Sequence, residues 1–600
     1  MFLCGAFSHD EVTNMNEATL EYLKSLKPAP HPDGNALVRE GREMGRDIPF
    51  GLSRFRRETG WKSFLEYRKQ ARCDGRICWN ILIGLATLEE ELDGIGKLAE
   101  FSKRTGMTID MIQPIPSGLV AVPKAIRDKA PATTSYVLDG FDQYKAHVEA
   151  APIEVTFNDY HLASPTGLET TIHAIRAGSS LIGEFSQIIW GYPGCDDDLG
   201  RFCDMMKALG IIASKHDEDV MVKTYLDDGY AGYFVDCASY IAYAMLEHYI
   251  CTELCGARYF IAYGGLLSEM DTRMGIALAL DKVLSTEDQP ALHYINSSTN
   301  LQWDHEIHGN YGMSVKEFLF EILVEKKYRM GLGINPVSIT EKIAVPTLRE
   351  LLDILAAGKR TEENAEAWLP YMDFTKLEEM RDVMVEQGTQ MYHNILEGFE
   401  AAGIDTHDPL ELVMVLRKFN PLRFEQMFHP STYRGANAEL VPFYPTVLGR
   451  QTVKMRDDLI EQARQERLGG CLKGKKLITV SGDAHTYGLM LVEGVLNYAG
   501  ASIVNGGVDV DAADLLDLAD EEGTDIVCVS CHNGQALDYG RQLIQLAAER
   551  RKHYRIFMGG LLNAILPGDS EPTIIADRLE ALGINAGNDI LQTIRVLKEA

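Results

Sequence analysis

Twice along this chain, short runs rich in β-branched and aromatic residues alternate with helical runs, and this repetition narrows the available folds more than any single motif does. From about residue 75 to 340 the strand-like runs are ICWNILIG, MTIDMIQP, TTSYVLDG, PIEVTFND, SSLIGEF, VMVKTYL, ARYFIAYG, ALHYINSS and GLGINPV. Between them lie segments such as TLEEELDGIGKLAEFSKRTG and VDCASYIAYAMLEHYICTELCG, whose apolar residues recur at three- and four-residue spacing. Strand and helix in alternation imply a parallel sheet. The nine runs are one more than an eight-stranded (β/α)8 barrel needs, so an α/β barrel of the TIM type is expected over 75–467, after an N-terminal extension, 1–74.

In such a barrel the strand C-terminal ends form one face, and catalysis sits there. The polar residues expected at that face are Asn158, Asp159, Tyr160, His161, Glu184, Asp227, Asp228, Tyr263, Glu269, Asn296, Asn300, Asp304 and His305. Residues 360–470 read as mostly helical around an irregular passage, FHPSTYRGANAELVPFYPT, and LGGCLKGKK has the small, basic composition of a linker.

A second rhythm then begins: KKLITVSG, a helix to Tyr498, ASIVNGG, a helix from Asp511, TDIVCVSC, a helix from Gln535, YRIFMGG, a helix from Thr573, and a short strand near Gly583. Five strands in this pattern predict a small doubly wound, flavodoxin- or Rossmann-like domain over 468–600, binding its ligand beyond the strand C-terminal ends.

Composition removes several function classes. Formal charge is 58 − 87 = −29, which disfavours nucleic acid and anionic membrane surfaces as partners. The 11 cysteines include one CxxC spacing, Cys528 to Cys531 inside the strand-like run TDIVCVSC, and no second pair to partner it, so reduced thiols of a cytoplasmic protein are expected rather than a zinc site. No apolar run reaches membrane-spanning length, and MFLCGAFSHDEV lacks the basic flank of a signal peptide. A soluble homo-oligomer acting on a small molecule is the expectation.

One loop resists a packing explanation. SGDAHTYGLM places Asp483 and His485 between Gly482 and Gly488, directly after an apolar strand. His485 is open to four readings: a solvated surface residue, a general base, a zinc ligand, or an axial ligand of a larger metal cofactor. Asp483 is spaced to orient the imidazole and leave its other nitrogen for a metal. Nothing in the domain suggests a complete zinc tetrahedron, and no GxGxxG or P-loop follows the first strand. Glycines recur at the other strand ends, Gly506 and Gly507, Gly534, then Gly559 and Gly560, where backbone can approach a bulky ligand.

GDAHTYG resembles the Asp-x-His-x-x-Gly signature of cobalamin-binding domains, with Ser530 in VSCHNG and the Gly559–Gly560 pair where those domains place a serine and two glycines. His532 stands in place of that family's leucine. The domain is similar to the small subunit of glutamate mutase, and GYAGYFVDCASYIAYAMLEHYICTELCGARYFIAYGGLLSEMDTRMGIALAL and HPSTYRGANAELVPFY resemble its large subunit. The chain thus looks like both subunits fused, barrel first. The resemblance implies adenosylcobalamin as cofactor, with His485 as lower axial cobalt ligand, Asp483 as its support, and Gly482, Gly488, Ser530, Gly534, Gly559 and Gly560 about the cofactor tail.

It also implies cobalt–carbon homolysis, hydrogen abstraction by a deoxyadenosyl radical, and 1,2-migration in a small carboxylic acid. Glu184 would contact a substrate amine, with Tyr192 nearby. MIQPIPSG, VLDGFDQYK and TFNDYHLAS lack the arginines with which glutamate mutases hold substrate carboxylates. Arg258, Arg273 and Arg434 are therefore the candidate carboxylate partners, and 2-methyleneglutarate is an alternative to glutamate. A corrinoid methyltransferase or methyl carrier and a non-catalytic cobalamin-binding protein are the competing readings.

Overall fold

The computed structural model describes residues 17–129, 135–192, 194–195, 197–265, 268–286, 289–297, 303–341, 345–431, 440–482, 487–507, 510–531, 536–560, 562–564 and 573–599. Two compact units are present, Met1–Pro430 and Ser431–Ala600.

The first unit is built on eight parallel strands: β1 (Cys78–Ile83), β2 (Ile109–Pro114), β3 (Glu154–Val155), β4 (Leu181–Ile182), β5 (Met221–Tyr225), β6 (Arg258–Gly264), β7 (His293–Ser297) and β8 (Gly333–Pro336). Their order is β3-β2-β1-β8-β7-β6-β5-β4. Phe157, just beyond β3, bridges Ile182 of β4 in parallel and closes the ring. The strands are buried nearly throughout, as expected for strands covered on both faces. The intervening helices carry their own start and stop signals. Leu88–Thr105, for example, opens with a Thr87/Glu90 capping box and ends at Gly106, φ 71°.

Of the nine strand-like runs, TTSYVLDG is the extra one. Its described part, Ser135–Gly140, forms no strand. It lies across the ends of β1 and β2 instead: the Ser117 amide donates to Tyr136 O (2.8 Å), and Ser135 Oγ donates to Leu85 O and Ile115 O (3.2 and 3.4 Å). Its β propensity yields to these loop contacts.

The segment before β1 forms the floor of the barrel. Phe55, Phe64 and Leu65 share one apolar cluster with Met111, Leu181, Met221, Phe260 and Leu292. The fully buried Arg68 donates to His293 O (3.1 Å) and Gly331 O (2.6 Å) at the strand N-terminal ends. With that end plugged, the C-terminal ends remain as the open face.

The second unit is a parallel sheet of β9 (Lys476–Ser481), β10 (Ser502–Gly507), β11 (Ile526–Ser530), β12 (Arg555–Gly559) and the short strand Asn585–Ala586, in the order β10-β9-β11-β12-Asn585–Ala586. Apolar clusters cover both faces, one around Val480, Leu515 and Leu543, the other around Leu477, Val495 and Phe557. This is the expected doubly wound layout. The unit begins upstream of LGGCLKGKK because helix Val447–Gln465 belongs to it, with Ile460 and Ala463 in the second cluster. Thr573–Ile574 is a short strand antiparallel to Asn563–Ala564, and the helix expected from Thr573 is Ala576–Ala581. Among the described residues no helix is long and apolar enough to cross a membrane.

Candidate functional site

Inside the barrel the alternation of β5 turns Lys223 inward, two residues before Tyr225, which lines a cavity of about 230 Å3 at the open end. Lys223 is fully buried. Its Nζ donates to Gln113 Oε1 from β2 and lies 4.8 Å from the centre of the Tyr294 ring. Tyr294 Oη donates to the same Gln113 oxygen at 3.0 Å.

Three carboxyl groups gather above Lys223. Asp159 follows β3, Glu184 follows β4 and Asp228 follows β5, and one oxygen from each lies within 4.8 Å of the others. Amide side chains tie them together. Asn158 Nδ2 donates to Asp159 Oδ1 (3.1 Å) and Glu184 Oε2 (3.0 Å), and Gln113 Nε2 donates to Asp159 Oδ1 (3.3 Å). Gln187 Nε2 donates to Glu184 Oε2 and Asp228 Oδ2, both at 3.2 Å.

Burial among like charges raises two of these acids. Glu184 is pushed well above the usual carboxylate range by burial, then by the charges of Asp228 and Asp159. Asp228 is raised to about 8, chiefly by burial and then by Asp159. Burial lowers Lys223 to about 8 against the pull of Glu184, Asp159 and Asp228. The mouth can therefore hold or release a proton near neutral pH, the property of groups doing acid–base work.

The other expected site residues disperse. Tyr192 is buried with Arg201 over its ring at 5.0 Å, and its hydroxyl has no hydrogen-bond partner among the described residues. Arg258 corrects its expectation as a site residue, since it opens β6 at the opposite end of the barrel, paired with Asp219 (3.2 Å) and Gln289 (2.8 Å). Arg273 lies just past the C-terminal end of β6, donating to Ser268 O (3.2 Å). It is fully buried on helix Met270–Leu284 and ion-paired with Glu317 (3.0 Å) and Glu321 (2.7 Å), which commits its charge within the protein. Arg434 and Asn300 lie outside the described residues. Lys223, Gln113, Gln187 and Tyr294 were not anticipated. A lysine inside the apolar run VMVKTYL, in phase with Tyr225, is the signal that would have found the first of them.

In the second unit, β9 and β11 are neighbours in register, with Val529 opposite Val480 and Ser530 opposite Ser481. The loops carrying GDAHTYG and SCHNG thus leave the sheet side by side. The switch point where the strand order reverses lies there, the place such sheets bind ligands. The Gly482 amide donates to Ser530 O at 2.9 Å, and the Cys531 amide to Gly559 O at 2.9 Å, so the three motif-bearing strand ends are tied together. Asp483, His485 and Gly534 lie outside the described residues.

Comparison with known proteins adds to this geometry. Residues 476–580 match the family model of the B12-binding domain. The match covers β9 to β12 of the second sheet and supports cobalamin binding by this unit. Among solved structures, a novel cobalamin-binding protein from Desulfitobacterium hafniense aligns at 19% identity over 24% of this chain and 70% of that one, with a TM-score of 0.19. No curated protein matches.

The residues present fit the group that the B12-binding domain implies. Where β12 ends, a side chain is excluded by conformation, as Gly560 has φ 102°, and a Cβ on Gly559 would meet only Gly587 O, at 3.1 Å. Gly488, by contrast, sits within helix Tyr487–Tyr498. Glycine and serine at these strand ends leave backbone open to a large planar cofactor.

Proposed function

We propose that the chain is an adenosylcobalamin-dependent isomerase carrying out a radical 1,2-rearrangement of a small carboxylic acid. One observation carries this reading: a B12-binding domain shares the chain with a closed (β/α)8 barrel whose open end holds a small, largely buried, proton-holding cavity. At about 230 Å3, the cavity falls below the range of drug-sized ligand pockets. It suits a substrate of a few carbons.

Within this reading His485 would ligate the cobalt and Asp483 would orient it, while Gly482, Gly488, Ser530, Gly534, Gly559 and Gly560 would hold the cofactor tail. Bound adenosylcobalamin supplies a carbon-centred radical by reversible cleavage of its cobalt–carbon bond. The barrel's own residues do the rest. Lys223, beneath the cavity wall, fixes Gln113 by a charge-assisted hydrogen bond and sets a positive charge under the substrate carboxylate. Glu184 and Asp228 hold protons at the mouth, and Tyr225 and Tyr294, which line the cavity, keep water from the reacting carbon.

The test is electron paramagnetic resonance on the anaerobic full chain with adenosylcobalamin and a panel of small acids. A cobalt-coupled radical signal that requires substrate is expected. Demethylation of methylcobalamin by a thiol or folate acceptor, with no such signal, would overturn the reading in favour of a methyltransferase.

A further inference from the structure

The cavity wall is acidic. Of the described residues that line it, Asp159, Asp228 and Glu341 are carboxylic acids and none is lysine or arginine. Glu184 stands close by, within 4.8 Å of Asp159 and Asp228. Lys223, beneath the wall, already donates to Gln113. A substrate with two carboxylates can place one near Lys223, and the second then meets like charge.

Glu184 points to what is missing. It is fully buried, and its Oε1 receives no hydrogen bond among the described residues, although Oε2 takes amides from Asn158 and Gln187. Asp159 and Asp228, each with an oxygen within 4.8 Å of it, add only like charge beside it. A protonated amine brings three donors and a positive charge. It would supply the donor that Oε1 lacks and offset the like charges together. A divalent metal suits the cluster less well, because amide donors already occupy one oxygen of each carboxyl group and the ammonium of Lys223 stands below.

We propose that the barrel mouth selects a small amino acid with one carboxylate and at least one protonated amine, in place of the dicarboxylic acid that the resemblance implies. This takes the cavity as the substrate site of the proposed isomerase, but charge selection is testable without turnover. Isothermal titration of the cofactor-free full chain at pH 8 uses L-ornithine, L-glutamate, 2-methyleneglutarate and magnesium chloride as separate probes.

L-Ornithine is expected to bind at least tenfold more tightly than either diacid. Asp228→Asn should weaken it by about tenfold and narrow that gap, and Asp159→Asn serves the same purpose should the first variant fold poorly. Diacids binding as tightly as L-ornithine, heat from magnesium alone, or no heat from the amine would each overturn the proposal. A substrate-dependent radical obtained with a diacid would overturn charge selection and leave the isomerase standing. Amine binding without any radical would do the reverse.

Discussion

Lys223 shows how one residue sets the chemistry of a barrel mouth. A buried ammonium persists because three carboxyl groups surround it, and those acids in turn are tuned by burial and by one another. Lys223→Met should raise KM on the order of 10- to 100-fold in steady-state kinetics, the loss of one charge-assisted hydrogen bond of about 1.5–3 kcal/mol. The pH dependence follows from the directions of the shifts. An amine binds the ionised acids, so a group raised to about 8, as Asp228 is, must first release a proton. Affinity for L-ornithine should therefore rise on the order of 10- to 100-fold from pH 6 to 8. It should fall again as Lys223, lowered to about 8, loses its charge. The groups facing Asp228 that shape this curve are Asp159, Glu184, Asp227, Lys223, Tyr160 and the amide of Gln187. Asp159, Glu184 and Asp228 were legible in the sequence because strand-end position alone selects them. Lys223 was not, because a charged residue inside an apolar strand reads as strand until alternation is followed to the barrel interior.

At the scale of elements, strand ends and helix pairs divide function from support. Arg273 was a candidate carboxylate ligand because three barrel loops lack the arginines of glutamate mutases, yet the helix carrying it turns the side chain onto Glu317 and Glu321. Arg273→Met should cost about 3–5 kcal/mol in denaturant unfolding, since it strands two buried carboxyl groups, and leave substrate affinity unchanged. Arg258→Ala should stay within about 1 kcal/mol of the parent, because its partners lie at a partly exposed edge. In the B12-binding domain, a Cβ on Gly482 would meet Cys531 Sγ at 2.8 Å and the Tyr539 ring at 3.2 Å. Gly482→Ala should weaken cobalamin binding by about tenfold in absorbance titrations by displacing the loop that leaves β9. The βα rhythm was readable over both units because its period is long and repeated. TTSYVLDG misled because a short β-rich run is equally stable laid across neighbouring strand ends, where Leu85 O and Ile115 O take its serine hydroxyl.

Across the whole molecule, the cofactor is better fixed than the reaction. The family match and the paired ends of β9 and β11 speak for cobalamin, whereas the barrel distinguishes substrates only through charge and size. The ligand role of His485 has its own check: His485→Ala should remove the histidine-nitrogen hyperfine splitting from the paramagnetic cobalt of bound cofactor, and splitting that persists would refute that role. The central claim is that this chain uses adenosylcobalamin to rearrange a small acid held in the barrel. Its most direct measurement is anaerobic electron paramagnetic resonance of the full chain loaded with adenosylcobalamin and mixed with L-ornithine. A cobalt-coupled radical signal that develops only with both cofactor and substrate, and is lost in Glu184→Gln, is expected. A silent spectrum with L-ornithine and with the acid panel alike, from protein that binds the cofactor, would refute the claim.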